Sequence, residues 1–271
     1  MDKRKSVDKD VGTALITGAS SGIGESLARC FAAGGHALVL VARSKDKLDA
    51  LAAALVAAYG VKLTVLPADL ALPAAAQGLA TALKRKRIAV DVLVNNAGVL
   101  EQGAFASMPA QRHQQMIDLN VSGLTAMLAT FVPAMCKRGF GRVLNVASIA
   151  AFQPVPTLAT YAATKAYVLS LTESLAEELK GSGVTVTALC PGITATGMLR
   201  DATAGNAQLA KLPGFLVGDV DEVAAAGYAA CMRGEVIRVP GVVNLATTLA
   251  ARATPKWLLR RLAGTVTRKA L

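Results

Sequence analysis

The stretch TALITGASSGIG (residues 13–24) decides how the rest of the chain is read. Thr13–Thr17 is a short continuous apolar run, the pattern of a strand buried on both faces. Gly18-Ala19-Ser20-Ser21-Gly22-Ile23-Gly24 is a glycine-rich turn, and an amphipathic helix reads on from it through Ala33. Glycines admit positive φ and let the backbone approach a pyrophosphate, which rests on the N-terminus of the following helix. The spacing G-x-x-x-G-x-G departs from the common G-x-G-x-x-G fingerprint. The dinucleotide reading therefore rests on the turn's place after the first strand as much as on its glycines.

Downstream the same alternation repeats. Ala37–Ala42 is a second strand and Lys45–Tyr59 a helix; 61–66 is a third strand and 73–86 a helix; 90–94 is a fourth strand. A long helix over 109–137, a fifth strand over 142–147, a helix over 157–180 and a sixth strand, Val184–Leu189, follow. Short apolar strands separated by helices predict an α/β fold with a doubly wound parallel sheet of Rossmann type. About seven strands are expected, with the ligand site at their carboxyl ends. The chain reads as a single domain: residues 1–240 the catalytic body, residues 241–271 a helical extension of it.

An NAD site usually places an acid about 20 residues beyond the turn, at the end of the second strand. Here Arg43 stands there, followed by Ser44 and Lys45. A guanidinium at that point can pair with a 2′-phosphate, so the expected cofactor is NADP(H).

Further segments fall in a familiar order: Asp69-Leu70, Asn95-Asn96-Ala97-Gly98, Asn120, Ser148, Tyr161 to Lys165, and Pro191-Gly192 with Thr196. With TGASSGIG they make the chain resemble the short-chain dehydrogenase/reductase family over roughly residues 10–235. The resemblance implies roles for each. Gly18, Ser20, Ser21, Gly22, Ile23 and Gly24 would cradle the cofactor phosphates. Asp69, with Leu70, would take the adenine amino group, and Asn95, Asn96, Ala97 and Gly98 would turn beside the adenine ribose. Pro191, Gly192, Thr194 and Thr196 would hold the nicotinamide carboxamide, although Thr194 stands where an aliphatic residue is commoner.

Tyr161 and Lys165, four apart on one helix face, would be the acid–base pair; a nearby ammonium favours the phenolate and lowers the phenol's pKa. Lys165 would also hold the nicotinamide ribose, Ser148 would bond the substrate oxygen, and Asn120 would complete a water-linked relay to Lys165. The expected reaction interconverts a ketone or aldehyde with an alcohol by hydride transfer, Tyr161 acting as general acid or base. An NAD-dependent dehydrogenase running oxidatively and a non-enzymatic cofactor-binding regulator stay open as alternatives.

Apolar residues of the segment after Gly192 (Met198, Leu199, Leu209, Leu212, Phe215, Leu216, Val217), with Phe152, Val155 and Leu158, predict a pocket for a hydrophobic acyl, steroid-like or aromatic substrate. The composition suits a large core: 53% hydrophobic and 17% charged residues. The formal charge is +11. Seven basic side chains and no acid lie in 236–271, and Lys84 to Arg87 form a second basic block. No aromatic-and-basic recognition motif accompanies them, so nucleic acid is not an expected partner. Pro255 can start a basic amphipathic helix carrying Trp257, which suggests peripheral contact with a membrane surface.

Cys30, Cys136, Cys190 and Cys231 are widely spaced, and His36 and His113 are the only histidines. The expectation is buried reduced thiols, no metal site, and a cytoplasmic protein, peripheral at most to the inner membrane face. A charged start and a longest uncharged run broken by polar residues and prolines predict neither a secretory signal nor a membrane span. A homodimer or homotetramer is implied by the resemblance, which pairs helices near 109–137 and 157–180.

Overall fold

The computed structural model describes residues 11–195 and 217–268. Seven strands form one sheet: β1 Thr13–Thr17, β2 Ala37–Ala42, β3 Leu63–Pro67, β4 Val92–Asn95, β5 Gly141–Val146, β6 Val184–Leu189 and β7 Ile237–Arg238. Their order is β3-β2-β1-β4-β5-β6-β7, and every neighbouring pair is parallel. The chain winds one way from β1 to β3 and the other way from β4 onward. The carboxyl ends of β1 and β4 therefore bound the crevice where the winding reverses, the usual ligand site of such sheets.

Alternate residues of each strand supply two cores. Leu15 and Leu93 face a cluster with Leu79, Met127, Phe131 and Val168. Those residues come from helices α3 (Ala75–Arg85), α5 (Leu124–Arg138) and α6 (Ala159–Glu178). Ala14, Ile16, Val92 and Val94 face the opposite cluster, with Leu27, Phe31, Leu48 and Val223. Those come from α1 (Gly22–Ala33), α2 (Lys45–Tyr59) and the helix Val220–Arg233. This two-sided burial is why the strands read as continuous apolar runs rather than alternating ones.

The long helix expected over 109–137 is in three parts: α4 (Ala110–Ile117), a π-helical turn Asp118–Gly123, and α5. The whole run Ala110–Arg138 is long and apolar enough to cross a membrane. Here Met127, Phe131, Val132 and Met135 pack into the sheet's core instead. The third and fourth strands begin two residues later than their apolar runs suggested, at Leu63 and Val92.

Helix α7 (Val220–Arg233) starts at Asp219, whose carboxylate accepts from the amides of Asp221 and Glu222 at 2.8 and 3.0 Å. Beyond β7 come α8 (Val242–Ala253) and α9 (Lys256–Arg268), the latter at the point where Pro255 was expected to start a helix. Of the four thiols, Cys190 and Cys231 are buried, while Cys30 and Cys136 are only half-buried; all four are free.

Candidate active site

The glycine turn leaves β1 with Gly18 at φ 64° and Gly22 at φ 57°. A Cβ on Gly24 would stand 2.2 Å from the Gly18 carbonyl oxygen, so no other residue fits that turn without moving backbone. The turn is stitched to the segment after β4. The Thr17 hydroxyl donates to Val94 O at 3.1 Å and accepts from the amides of Asn96 and Ala97 at 2.9 and 3.0 Å. The Asn96 side chain donates to the carbonyls of Thr17 and Gly18 at 3.0 and 3.2 Å. Thr17, the last residue of β1 and the first of TGASSGIG, thus sets the spacing of the crevice's two walls.

A continuous cleft of about 1000 Å³ opens there. Gly18, Ser20, Ser21, Gly22 and Ile23 line one end, with Arg43, Ser44 and Lys47 from the end of β2. Asp69, Leu70, Asn96, Ala97 and Gly98 line its middle; Ser148, Tyr161, Lys165, Pro191, Gly192 and Thr194 line the other end. Arg43 is exposed, and none of the ion pairs among the described residues engages it. Asp69 accepts from the Ala71 amide at 3.0 Å, which fixes its carboxylate at the carboxyl edge of the sheet. Thr196 and the apolar positions from Met198 to Leu216 lie outside the described residues.

Ser148 ends the segment after β5 in extended backbone and caps the turn Ile149–Phe152, its hydroxyl accepting from the Ala150 amide at 3.1 Å. Tyr161 and Lys165 stand on the first turns of α6, both buried. The Lys165 ammonium donates to Val146 O at 2.8 Å and lies 5.7 Å from the centre of the Tyr161 ring.

This corrects the expected proton chemistry. The ammonium does not pull the phenol down. Burial pushes Tyr161 up to about 12, and the influence of the Ser148 hydroxyl opposes that. Burial likewise draws Lys165 down to about 8, with the nearby Cys190 thiol working against the fall. Burial opposes the charged form of both groups: the phenol stays neutral through the neutral range, while Lys165 keeps its proton up to about pH 8.

Asn120 sits in the π-helical turn, and that extra-wide turn aims its amide at the chain after β4. Its oxygen accepts from Val99 N at 2.9 Å, and its nitrogen donates to Val99 O at 2.9 Å and to Thr164 Oγ1 at 3.1 Å. The side chain thus ties the loop after Gly98 to α6, one residue from Lys165. A second buried chain supports the floor: Asn95 donates to Asn145 at 2.9 Å, and Asn145 donates to Thr172 at 2.9 Å. Paired Asn residues at the same level of adjacent strands were visible in the sequence as Asn95 and Asn145, but only the β4–β5 register brings them together.

The substrate end is apolar. Val99, Leu100, Ile149, Val155 and Leu158 line it, while Gln102 reaches it with a buried carbonyl oxygen that has no partner among the described residues. Phe152, expected in the pocket, packs instead against the core, under the Arg252 guanidinium at 5.7 Å. Among the described residues no cluster of His, Cys, Asp or Glu could hold a metal.

A parallel sheet with its crevice at the winding reversal, a glycine turn and a buried Tyr–Lys pair defines a class of nucleotide-dependent α/β oxidoreductases. The short chain dehydrogenase family model matches residues 12–207. Oxidoreductase UcpA of Salmonella typhimurium is 39% identical over 69% of this chain and 70% of its own. A short-chain dehydrogenase from Sphingobium yanoikuyae, solved in complex with NADPH, is 38% identical with a TM-score of 0.80, covering 89% of this chain and 93% of that one. A bulky-bulky ketone specific alcohol dehydrogenase from Comamonas testosteroni is 32% identical with a TM-score of 0.76, covering 92% and 96%. The chain belongs to the short-chain dehydrogenase family, and it is an oxidoreductase of that family.

Proposed function

We propose that this enzyme is an NADP(H)-dependent oxidoreductase interconverting an apolar ketone or aldehyde and its alcohol. The single observation that carries the reading is one cleft joining the glycine turn and Arg43 at one end to Ser148, Tyr161 and Lys165 at the other. Its volume, about 1000 Å³, reaches the top of the range for single-ligand sites, room for a dinucleotide and a second small molecule. The glycine cradle fits a pyrophosphate, and the exposed Arg43 fits a 2′-phosphate. The NADPH bound to the Sphingobium relative supports the same cofactor. A bound nicotinamide would supply or accept the hydride.

The chain's own residues do the rest. Gly18, Ser20, Ser21, Gly22, Ile23 and Gly24 hold the phosphates, Asp69 and Leu70 the adenine, and Asn96, Ala97 and Gly98 the ribose beside it. Pro191, Gly192, Thr194 and, outside the described residues, Thr196 hold the carboxamide. Ser148 donates to the substrate oxygen. Tyr161, protonated across the neutral range because its pKa stands at about 12, gives that oxygen its proton in reduction. Lys165, protonated up to about pH 8, holds the nicotinamide ribose, and Asn120 completes a water-linked proton relay to it while tying down the loop after Gly98.

The apolar lining by Val99, Leu100, Val155 and Leu158 favours a bulky hydrophobic substrate, in keeping with the ketone specificity named for the Comamonas relative. We read residues 1–240 as the catalytic domain and 241–271 as its extension. The active form is a homodimer or homotetramer in the cytoplasm, peripheral to the inner membrane face by way of that extension.

Titrating the purified protein with NADPH and NADH tests the cofactor assignment. Wild type should favour NADPH, and Arg43→Ala should weaken NADPH about tenfold to a hundredfold while leaving NADH little changed, since a charge-assisted bond contributes about 1.5–3 kcal/mol. Equal affinity for the two cofactors in wild type would contradict it.

A further inference from the structure

Resting on the reading of an apolar carbonyl substrate, we propose that the outer face of α8 and α9 docks on an anionic lipid surface, where the enzyme collects its substrate. Helix α8 has two unlike faces. Thr248 and Ala251 are buried, and Asn244 reaches between them and the cleft. A Cβ on Gly192 would lie 2.5 Å from the Asn244 amide, which donates to Pro240 O at 2.9 Å. At the other end of the helix, Arg252 pairs with Glu173 at 3.6 Å and covers Phe152. The inner face is therefore fixed to both walls of the active-site mouth, the Gly192 segment and the turn after Ser148.

The outer face carries Val242, Leu245 and Leu249, spaced three and four apart, so they form one stripe. Val242 is 85% and Leu249 57% exposed. Across the break at Pro255, Trp257 is 55% exposed with the Arg261 guanidinium 5.7 Å from its ring. Lys256 and Arg260 are exposed beside it. Exposed aliphatic side chains on α8, and an exposed tryptophan among exposed cations on α9, match the layers of a bilayer boundary: acyl chains, interface and anionic headgroups.

The charge selects the occupant. Lys256, Arg260 and Arg261 are exposed on this face and no acid lies in 236–271, so pairing it with itself in a second copy would oppose like charges. An anionic headgroup layer complements them. A nucleic acid would use the cations but leave the aliphatic stripe in water.

The test is co-sedimentation of the full-length protein with vesicles of mixed phosphatidylglycerol and phosphatidylcholine, and with phosphatidylcholine alone. Leu245→Glu/Leu249→Glu and Arg260→Glu/Arg261→Glu are run in parallel, each checked by light scattering and by NADPH oxidation with a water-soluble ketone. Wild type should pellet with the anionic vesicles and far less with the neutral ones. Each double variant should lose at least about tenfold in affinity, from the charge and apolar contacts removed, while keeping its subunit number and its turnover of the soluble ketone. Failure of wild type to pellet, equal pelleting by the variants, or a changed subunit number in the leucine variant would overturn the docking face. Normal vesicle binding with no ketone turnover by wild type would overturn the substrate reading and leave lipid docking standing as a surface property.

Discussion

The charge on Lys165 is held in an unfavourable place. Its ammonium is buried, has one hydrogen bond to Val146 O, and is drawn down from 10.5 to about 8. Between those two values the unfolded chain carries the proton and the folded one does not, so folding stability rises with pH across that window. Below pH 8 the disadvantage is complete, of order 3 kcal/mol for a fall of that size. Urea denaturation of Lys165→Met should therefore show a protein more stable than wild type at pH 7, with the gap closing as pH climbs from 8 toward 10.5. A variant less stable than wild type at pH 7 would mean that the Val146 bond outweighs the burial. The Tyr-x-x-x-Lys spacing was legible because it fixes a shared helix face. That Lys165 turns to a strand carbonyl was not, since it depends on the β5 edge passing beneath α6.

At the scale of elements, α8 is the part whose position was least legible from residues alone. Helical periodicity and Pro255 announce helices after residue 240, but nothing in the spacing says that Asn244 packs on Gly192 or that Arg252 covers Phe152. Helix α7 had a readable start, Asp219 capping Asp221 and Glu222, and a readable stop at Gly234, φ 69°. The Asn244 contact makes a specific prediction. Gly192→Ala should raise the KM for cofactor several-fold, because the new methyl meets the Asn244 amide 2.5 Å away. Adding Asn244→Ala should restore much of that loss, a coupling expected of residues in contact. Steady-state kinetics on the two single variants and the double variant checks it; strictly additive effects would show that the two do not meet. The π-helical turn at Asp118–Gly123 is the other case: helical periodicity runs through it unbroken, and the geometry gives Asn120 the job of bonding both polar groups of Val99.

Over the whole molecule, the parallel order of the sheet does most of the functional work. It brings Thr17, Arg43, Asn96, Ser148 and Gly192, spread over some two-thirds of the chain, to one edge and one cleft. Strands buried on both faces and a glycine turn after the first made this edge legible from residues alone, and the order of the motifs named the family before any geometry. The internal fit of the cleft was less legible. Phe152 turns to the core, the phenol rises to about 12 rather than falling, and the basic tail packs by one face while showing the other to solvent.

The central claim is that Tyr161 moves the proton at the substrate oxygen. The direct measurement is NADPH oxidation with a bulky ketone by wild type and Tyr161→Phe, alongside NADPH binding by calorimetry. The phenylalanine variant should bind NADPH within about twofold of wild type and lose turnover by roughly 10²- to 10⁴-fold, the usual contribution of a positioned acid. Turnover at the wild-type rate with intact cofactor binding would contradict the account.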